Sequence, residues 1–432
     1  MLTLSIVNLD QSIGEIDRPI ADTVNCMLDG VSCIKPDEAI KALQSLSSTK
    51  HTQCPTLREK VEKSVMRYRR DHDKWTSFTS LLLKSLACYR SIDEKFGGII
   101  SSTAFDIDDD ATLCMKNLDI NETKRKLPIV DLPRTKYNRP YIPQLYNKST
   151  SNSYNSNSHQ NGEEESVNEN HNSKMNVSHQ YPWVCMVQQQ LQSRLSSSAT
   201  SNSKTLGLDV VVFNARLSSY TPTISDFLKS FVDSFTPWEW KRINSYTTCK
   251  SSWRGLATCK PRSDTSQLRE FYLRWAMKEA YTKALGLGLN VEFKEFETCL
   301  VGVDIDTDSN NDGGEEGIWC RILKQRDTNK SQTKGEHQLS LIGKVKRIKP
   351  PTKWEYWEFI FIPLNFNYVN QSNEASTLQT PTDESSGACA CVCRGPVAKN
   401  AQLDAKQRNP VKVCIEPLTL RSLIELHGGN TL

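Results

Sequence analysis

The chain has 432 residues, and 54 Lys and Arg against 50 Asp and Glu leave a formal charge of +4. So weak an excess excludes nucleic acid or an anionic membrane as the general partner, and any anion site must be local. Hydrophobic residues make up 37% of the chain, low enough that part of it lies outside any packed core, and the sequence has no run of about 18 apolar residues that would span a membrane.

In chain order, the opening MLTLSIVNLDQSIGEID has no basic n-region, and Asn8 and Asp10 interrupt its apolar stretch. It is expected not to be a secretory leader. That places the chain in the cytoplasm and makes its 14 cysteines reduced thiols rather than a disulfide framework. Residues 77–89 (SFTSLLLKSLACY) have helical apolar spacing. Residues 127–142 read as a strand, a turn at Asn138 and a second strand. From 147 to 174, fifteen of 28 residues are Asn or Ser and only Tyr154 and Val167 are apolar. Such a segment buries too little surface to offset its ordering entropy, which predicts a disordered insertion. Shorter stretches of the same kind run over 193–204, 304–317 and 370–387.

Residues 183–187 (WVCMV) and 206–213 (LGLDVVVF) read as strands. Thr236-Pro-Trp-Glu239 has capping-box spacing with Pro at the first helical position, so a helix is expected over 237–244. The longest helical pattern, 266–285, ends at Gly286 and Gly288. Residues 354–363 and 388–393 read as strands, and 417–427 as a final helix. Period-two spacing puts Cys389, Cys391 and Cys393 on one strand face, which suits a buried face better than a metal site lacking further ligands. Strands mixed with segregated helices indicate an α+β fold.

Three residues stand out chemically. In LGLDVVVF, Leu208, Val210 and Val212 share one face, with Asp209 and Val211 on the other. A lone carboxylate there must be paired or bind a cation; a salt bridge and a metal site both satisfy that. Along the long helix the stripe Leu268, Tyr272, Trp275 leads into Glu279, with Lys283 one turn later. That pair is either a solvated i,i+4 ion pair or part of a site. His179 alone is a structural hydrogen-bonder as readily as a functional group. No G-x-S-x-G, P-loop, G-x-G-x-x-G or H-E-x-x-H is present.

Taken together, the motifs resemble the 4′-phosphopantetheinyl transferases of the large two-lobed class. Trp275-Ala-Met-Lys278-Glu279-Ala-Tyr-Thr-Lys283-Ala-Leu-Gly286-Leu-Gly288-Leu289 is similar to that family's W-x-x-K-E-x-x-x-K-x-x-G-x-G-L signature. Leu206-Gly-Leu-Asp209-Val210 resembles its G-[IV]-D strand, and Asn176-Val-Ser178-His179 its N-[IV]-S-H motif. Arg134-Thr-Lys-Tyr-Asn-Arg139-Pro140 resembles its basic segment ending in G-K-P, and Phe235-Thr-Pro-Trp-Glu239 its F-[ST]-x-x-E helix start. Residues Tyr68 to Asp73 with Ser77 resemble its first helix, whereas residues before about 60 match no part of it. Within the family the likeness is greatest to eukaryotic members that modify aminoadipate reductase.

The resemblance implies two similar α/β lobes related by a pseudo-two-fold axis: an N-terminal lobe over 1–146, the insertion at 147–174, the rest of that lobe and a linker over 175–205, and a C-terminal lobe over 206–432. It implies transfer of phosphopantetheine from coenzyme A to a serine of an apo carrier domain, aminoadipate reductase for lysine biosynthesis among them. Asp209 and Glu279 would hold Mg²⁺; Glu279 would take the serine proton; Lys283 would stabilise phosphate charge. Arg70, His72, Arg134, Arg139, Ser178 and His179 would contact coenzyme A, and a monomer is expected. Two departures stand out. Val211 occupies the place of a second strand acid found in many members, and Arg139 replaces the Lys before Pro, which keeps the charge and changes the geometry. A Mg²⁺-dependent phosphodiesterase and a non-catalytic binding module are the alternatives.

Overall fold

Alternation along single strands decides how this chain stacks. In the computed structural model, which describes residues 2–14, 16, 18–30, 33–36, 38–39, 55–95, 127–135, 137, 139–142, 175–189, 205–214, 222–244, 247–249, 258–260, 263–301, 303, 317–319, 321–322, 339–348, 352–364, 387–397, 411 and 413–427, two sheets pack face to face with one long helix outside each. The insertion 147–174, the turn at Asn138, the stretch 193–204 and nearly all of 304–317 and 370–387 lie outside the described residues.

The first half runs β1 (Leu2–Asn8), α1 (Leu9–Ile13), α2 (Ile20–Gly30), β2 (Cys33–Ile34), α3 (Pro55–Met66), α4 (Asp71–Lys95), β3 (Ile129–Val130), β4 (Met175–Gln180) and β5 (Trp183–Gln189). The second runs β6 (Thr205–Val212), α5 (Ile224–Lys229), α6 (Pro237–Asn244), β7 (Thr247–Cys249), β8 (Thr258–Lys260), α7 (Asp264–Ala284), β9 (Phe296–Leu300), β10 (Leu339–Arg347), β11 (Glu355–Leu364) and β12 (Ala388–Val397), before β13 (Val413–Leu418) and α8 (Leu420–Leu426). The larger sheets have the orders β13-β1-β5-β4 and β6-β12-β11-β10-β9. No described helix is long and apolar enough to cross a membrane.

Leu2, Leu4 and Ile6 of β1 meet Leu206, Leu208 and Val210 of β6 and Ile360 and Ile362 of β11 in the core between the sheets. On the outer face of the first sheet, Val184 and Met186 pack with Phe78, Leu82 and Tyr89 of α4. On the outer face of the second, Val211, Cys389, Cys391 and Cys393 pack with Leu273, Ala276, Met277 and Ala280 of α7. The three cysteines are fully buried, and burial holds their thiols well above the usual range, so they are core residues, as the strand-face reading expected. Each apolar side chain so buried contributes roughly 1.5–3 kcal/mol.

Residues 2–8, which match no family segment, form an interior strand of the first sheet. Within the span 206–432, β13 does not join the second sheet but pairs in parallel with β1, Leu2 opposite Val413 and Val7 opposite Leu418. A buried ionic knot fixes that pairing: Ser5 Oγ donates to Glu416 at 2.6 Å, and Arg90 of α4 reaches the same carboxylate at 2.5 Å. The final helix therefore starts at Leu420 rather than Pro417, with Thr419 as N-cap accepting from the Ser422 N–H at 3.0 Å.

Candidate active site

The site is built where β6, the edge strand of the second sheet, meets α7 and β4. Gly207 makes the first contact possible. A Cβ there would lie 1.9 Å from the Ala280 carbonyl oxygen and 2.5 Å from the Ala284 nitrogen, so only glycine lets the helix backbone rest on the strand. Asp209, two residues on and on the same face, then comes beside Glu279 and Lys283. Helix α7 stops in a Schellman motif, with Gly286 at φ 76°, the Leu287 N–H donating to the Thr282 carbonyl and the Gly286 N–H to that of Lys283, both at 3.0 Å.

Strand β4 supplies the second contact through side chains. Asn176 accepts from the Leu208 N–H at 3.3 Å, and Gln180 accepts from the Val212 N–H at 2.9 Å. Between them Ser178 Oγ donates to Asp209 Oδ1 at 3.0 Å. Period-two spacing in N-V-S-H-Q thus lets alternate side chains substitute for a ladder along the edge of β6. Gln180 is a clamp on the backbone in this arrangement.

These contacts enclose a cavity of about 500 Å³ lined by Ser178, His179, Asp209, Tyr272, Trp275, Glu279 and Lys283 among others. Lys283 Nζ lies 2.6 Å from Asp209 Oδ1 and 3.0 Å from Ser178 Oγ. Asp209 is buried, whereas Glu279 and Lys283 are half-buried. Burial raises the Glu279 carboxyl above the usual range; Lys283 opposes that and the Asp209 charge adds to it. His179 faces the cavity mouth, yet crowding by the protein body, with Lys283 and Lys84 adding repulsion, lowers its imidazolium to about 4. It is neutral at pH 7.

Asp209 and Glu279 fit a hard divalent cation. They are two oxygen donors facing one cavity, and like charges placed together there are eased by a cation between them. Among the described residues no third acidic, His or Cys side chain joins them. That suits Mg²⁺, which takes one or two carboxylates and completes its shell with water and substrate phosphate.

A second cavity, of about 190 Å³, shares Val177, Lys283 and Gly288 with the first and is lined also by Lys84, Tyr137 and Arg139. Burial lowers the Lys84 ammonium to about 8, with Arg134 and Arg67 pushing the same way. Sequence reading missed Lys84. Its only signal is one basic residue in the otherwise uncharged run 77–89.

Arg139 was expected to contact coenzyme A. It lines the second cavity, and its guanidinium donates to the Ala284 carbonyl at 3.0 Å and the Leu206 carbonyl at 2.9 Å, tying the hairpin that carries it to the end of α7 and the start of β6. Burial lowers it to about 10. Arg134 is exposed on that hairpin, bridged to Pro140. Arg70 and His72 stand at the start of α4 and line neither cavity. The His72 ring packs 5.1 Å from that of Tyr181, at the end of β4.

Glu239 and Lys278 of the family-like motifs are structural. They form a fully buried pair at 2.8 Å. Glu239 closes the expected capping box with Thr236, its carboxylate accepting from the Thr236 N–H at 3.0 Å and its own N–H donating to Thr236 Oγ1 at 3.2 Å. Lys278 also donates to the Phe293 and Phe296 carbonyls, each at 2.7 Å.

Residues 205–341, which include Asp209, Glu279 and Lys283, match the family model described as the 4′-phosphopantetheinyl transferase superfamily. A phosphopantetheinyl transferase of Thraustochytrium sp. is 31% identical over 114 residues, 26% of this chain and 31% of the relative. The L-aminoadipate-semialdehyde dehydrogenase-phosphopantetheinyl transferases of Rattus norvegicus and Homo sapiens are 31% and 32% identical over 105 residues, 23% of this chain and 29% of each relative. The chain thus spans less than a third of the length of the curated relatives it matches. Over residues 205–341 the chain is therefore similar to the 4′-phosphopantetheinyl transferase superfamily.

Proposed function

We propose that this protein transfers the 4′-phosphopantetheine arm of coenzyme A to a serine of an apo carrier domain. The observation that supports this best is the convergence of Asp209, Glu279 and Lys283 on one cavity, within the region that matches the superfamily. The half containing β1 to β5 and the half containing β6 to β12 are read as the family's two related lobes.

A divalent cation between Asp209 and Glu279 would neutralise and orient the pyrophosphate. The remaining roles belong to the chain's own side chains. Glu279, its carboxyl raised by burial, is poised to accept the serine proton. The serine oxygen then forms a bond to the phosphorus carrying the pantetheine arm. The bond to the other phosphate breaks, and adenosine 3′,5′-bisphosphate leaves. Lys283, which lines both cavities, stabilises charge on the phosphates. Lys84 lines the second cavity and is repelled by the nearby Arg134 charge; an anion bound there would relieve it, which suits the 3′-phosphate end. His179, neutral at the mouth, suits a hydrogen bond to the nucleoside end.

Aminoadipate reductase is the proposed carrier, on the names of the Rattus norvegicus and Homo sapiens relatives, and a cytoplasmic monomer is part of the same proposal. The test is incubation with coenzyme A, Mg²⁺ and an apo carrier domain, read by mass spectrometry. One phosphopantetheine gained by the carrier supports the transferase. Coenzyme A hydrolysed without a carrier selects a phosphodiesterase, and no turnover with any carrier selects a binding module.

A further inference from the structure

We infer that Lys283 and a divalent cation exchange at Asp209: the Lys283 ammonium holds Oδ1 until a cation takes that oxygen, and the released ammonium turns to the anion in the adjoining cavity. This rests on the reading of Asp209 and Glu279 as cation ligands.

The geometry sets up a competition. Asp209 Oδ1 receives Lys283 Nζ at 2.6 Å and Ser178 Oγ at 3.0 Å. Both donors fall on Oδ1, so a cation that ligates through this oxygen, rather than through Oδ2 alone, must displace one of them. A small cation also does not sit beside an ammonium bound to the same atom, since like charges at contact distance repel strongly. Of the two donors, the ammonium is the one that can leave. Its side chain keeps 27% of its exposure against 9% for that of Asp209, and lysine is a point charge on a flexible stem. It also has somewhere to go, because Lys283 lines both the large cavity and the smaller one with Lys84. Ser178 stays, because β4 is pinned to β6 on either side of it by Asn176 and Gln180.

Two consequences follow. Lys283 lowers cation affinity when no anion is bound, by the weight of the contact that must be broken. Cation and anion binding are also positively coupled, because the released ammonium adds to the anion's site, and such coupling is reciprocal.

The experiment titrates Mn²⁺ into the full chain without coenzyme A, counting free Mn²⁺ by electron paramagnetic resonance, for the wild type, Lys283→Gln, Lys84→Gln and Asp209→Asn. Lys283→Gln is expected to tighten Mn²⁺ about tenfold, the weight of one charge-assisted contact. Lys84→Gln, which removes a nearby charge without touching Asp209, is expected to change it less than about twofold. With coenzyme A added, the gain in Mn²⁺ affinity should be smaller in Lys283→Gln than in the wild type. An unchanged or weaker Kd in Lys283→Gln overturns the exchange, as does an equal gain in Lys84→Gln, which would indicate a general field effect. A second measurement needs no variant: acetylation of the wild-type Lys283 amine, followed by peptide mass spectrometry, should quicken on adding Mn²⁺ while that of Lys84 does not. Equal rates with and without Mn²⁺ count against the exchange. If Asp209→Asn weakens Mn²⁺ binding, the cation site stands and a failure at Lys283 concerns the exchange alone. If it does not, the site reading fails and the exchange with it.

Discussion

Gly207 of β6 and Ala280 of α7 stand so close that a single methyl group has no room between them: a Cβ on Gly207 would meet the Ala280 carbonyl oxygen at 1.9 Å. Both obstructing groups are backbone, so no rotamer change relieves the clash. Helix and strand must separate, and with them Glu279 and Lys283 from Asp209. Gly207→Ala should lower stability by about 1–3 kcal/mol, as overpacked cores do. It should lower turnover further, by about 10²-fold for a displacement of 1 Å. Urea unfolding and carrier modification measured on one preparation check both. A variant with wild-type turnover would mean the helix can shift without moving the site.

Asp209 and Glu279 should respond differently to metal. Asp209→Asn leaves a weaker ligand for a hard cation, so raising Mg²⁺ or substituting Mn²⁺ should restore part of its turnover. Glu279→Gln also loses the proton acceptor, a loss of about 10²–10⁴-fold that added metal does not recover. Turnover is titrated with each metal at saturating coenzyme A. Equal rescue of both variants would reduce Glu279 to a ligand.

Arg134 and Arg139 come from one short segment but do different work. Arg134→Ala should raise the KM for coenzyme A much more than that for dephospho-coenzyme A, since charge-assisted bonds to a phosphate are worth roughly 1.5–3 kcal/mol. Arg139→Ala should weaken both substrates alike and lower the unfolding midpoint, because its guanidinium is committed to the Ala284 and Leu206 carbonyls. Selective loss of coenzyme A in Arg139→Ala would return that residue to the phosphate.

His427 ties the fold to pH. It is fully buried as the C-cap of α8, with Nδ1 2.9 Å from the Leu127 carbonyl. Burial lowers its imidazolium, with the nearby Leu127 and Leu82 carbonyls opposing in part. A histidine with a depressed folded value is neutral in the native state and takes up a proton on unfolding. Its contribution is therefore whole above its unfolded value of about 6.5 and is lost as pH falls towards the folded one. Between pH 6.5 and 5, wild-type stability should fall more steeply than that of His427→Gln, by up to about 1.4 kcal/mol per pH unit. Urea titrations at each pH measure the two slopes, and equal slopes would exclude His427 as the titrating group.

Much of the site was legible because it is written in local periods. The alternation of LGLDVVVF places Asp209 on the α7 face, and the stripe Tyr272, Trp275, Glu279 lines one cavity. The helix expected over 266–285 runs from Asp264 to Ala284, and the Thr236–Glu239 box closes as its spacing requires. What was not legible depends on contacts far apart in the chain. Nothing near Arg139 shows that its two donors end on carbonyls 67 and 145 residues away. Nothing in VCIEPL says that its partner is the strand at the opposite end of the described chain. The i,i+4 order of Glu279 and Lys283 left an intrahelical ion pair and a site equally open, and the contact of Lys283 with Asp209 on β6 is one the helix period cannot encode.

The pairing of β13 with β1 has a bearing on how the chain is made. A ribosome synthesises β1 before every other strand described here and β13 after them all. Throughout translation, then, one edge of the N-terminal sheet stays open, with the Ser5 hydroxyl and the Arg90 guanidinium waiting for Glu416. A premature stop between the end of β12 and Val413 would spare the cavity residues yet leave the opposite end of the molecule unsealed, so its damage should appear first as nascent-chain aggregation and chaperone retention rather than as weakened chemistry.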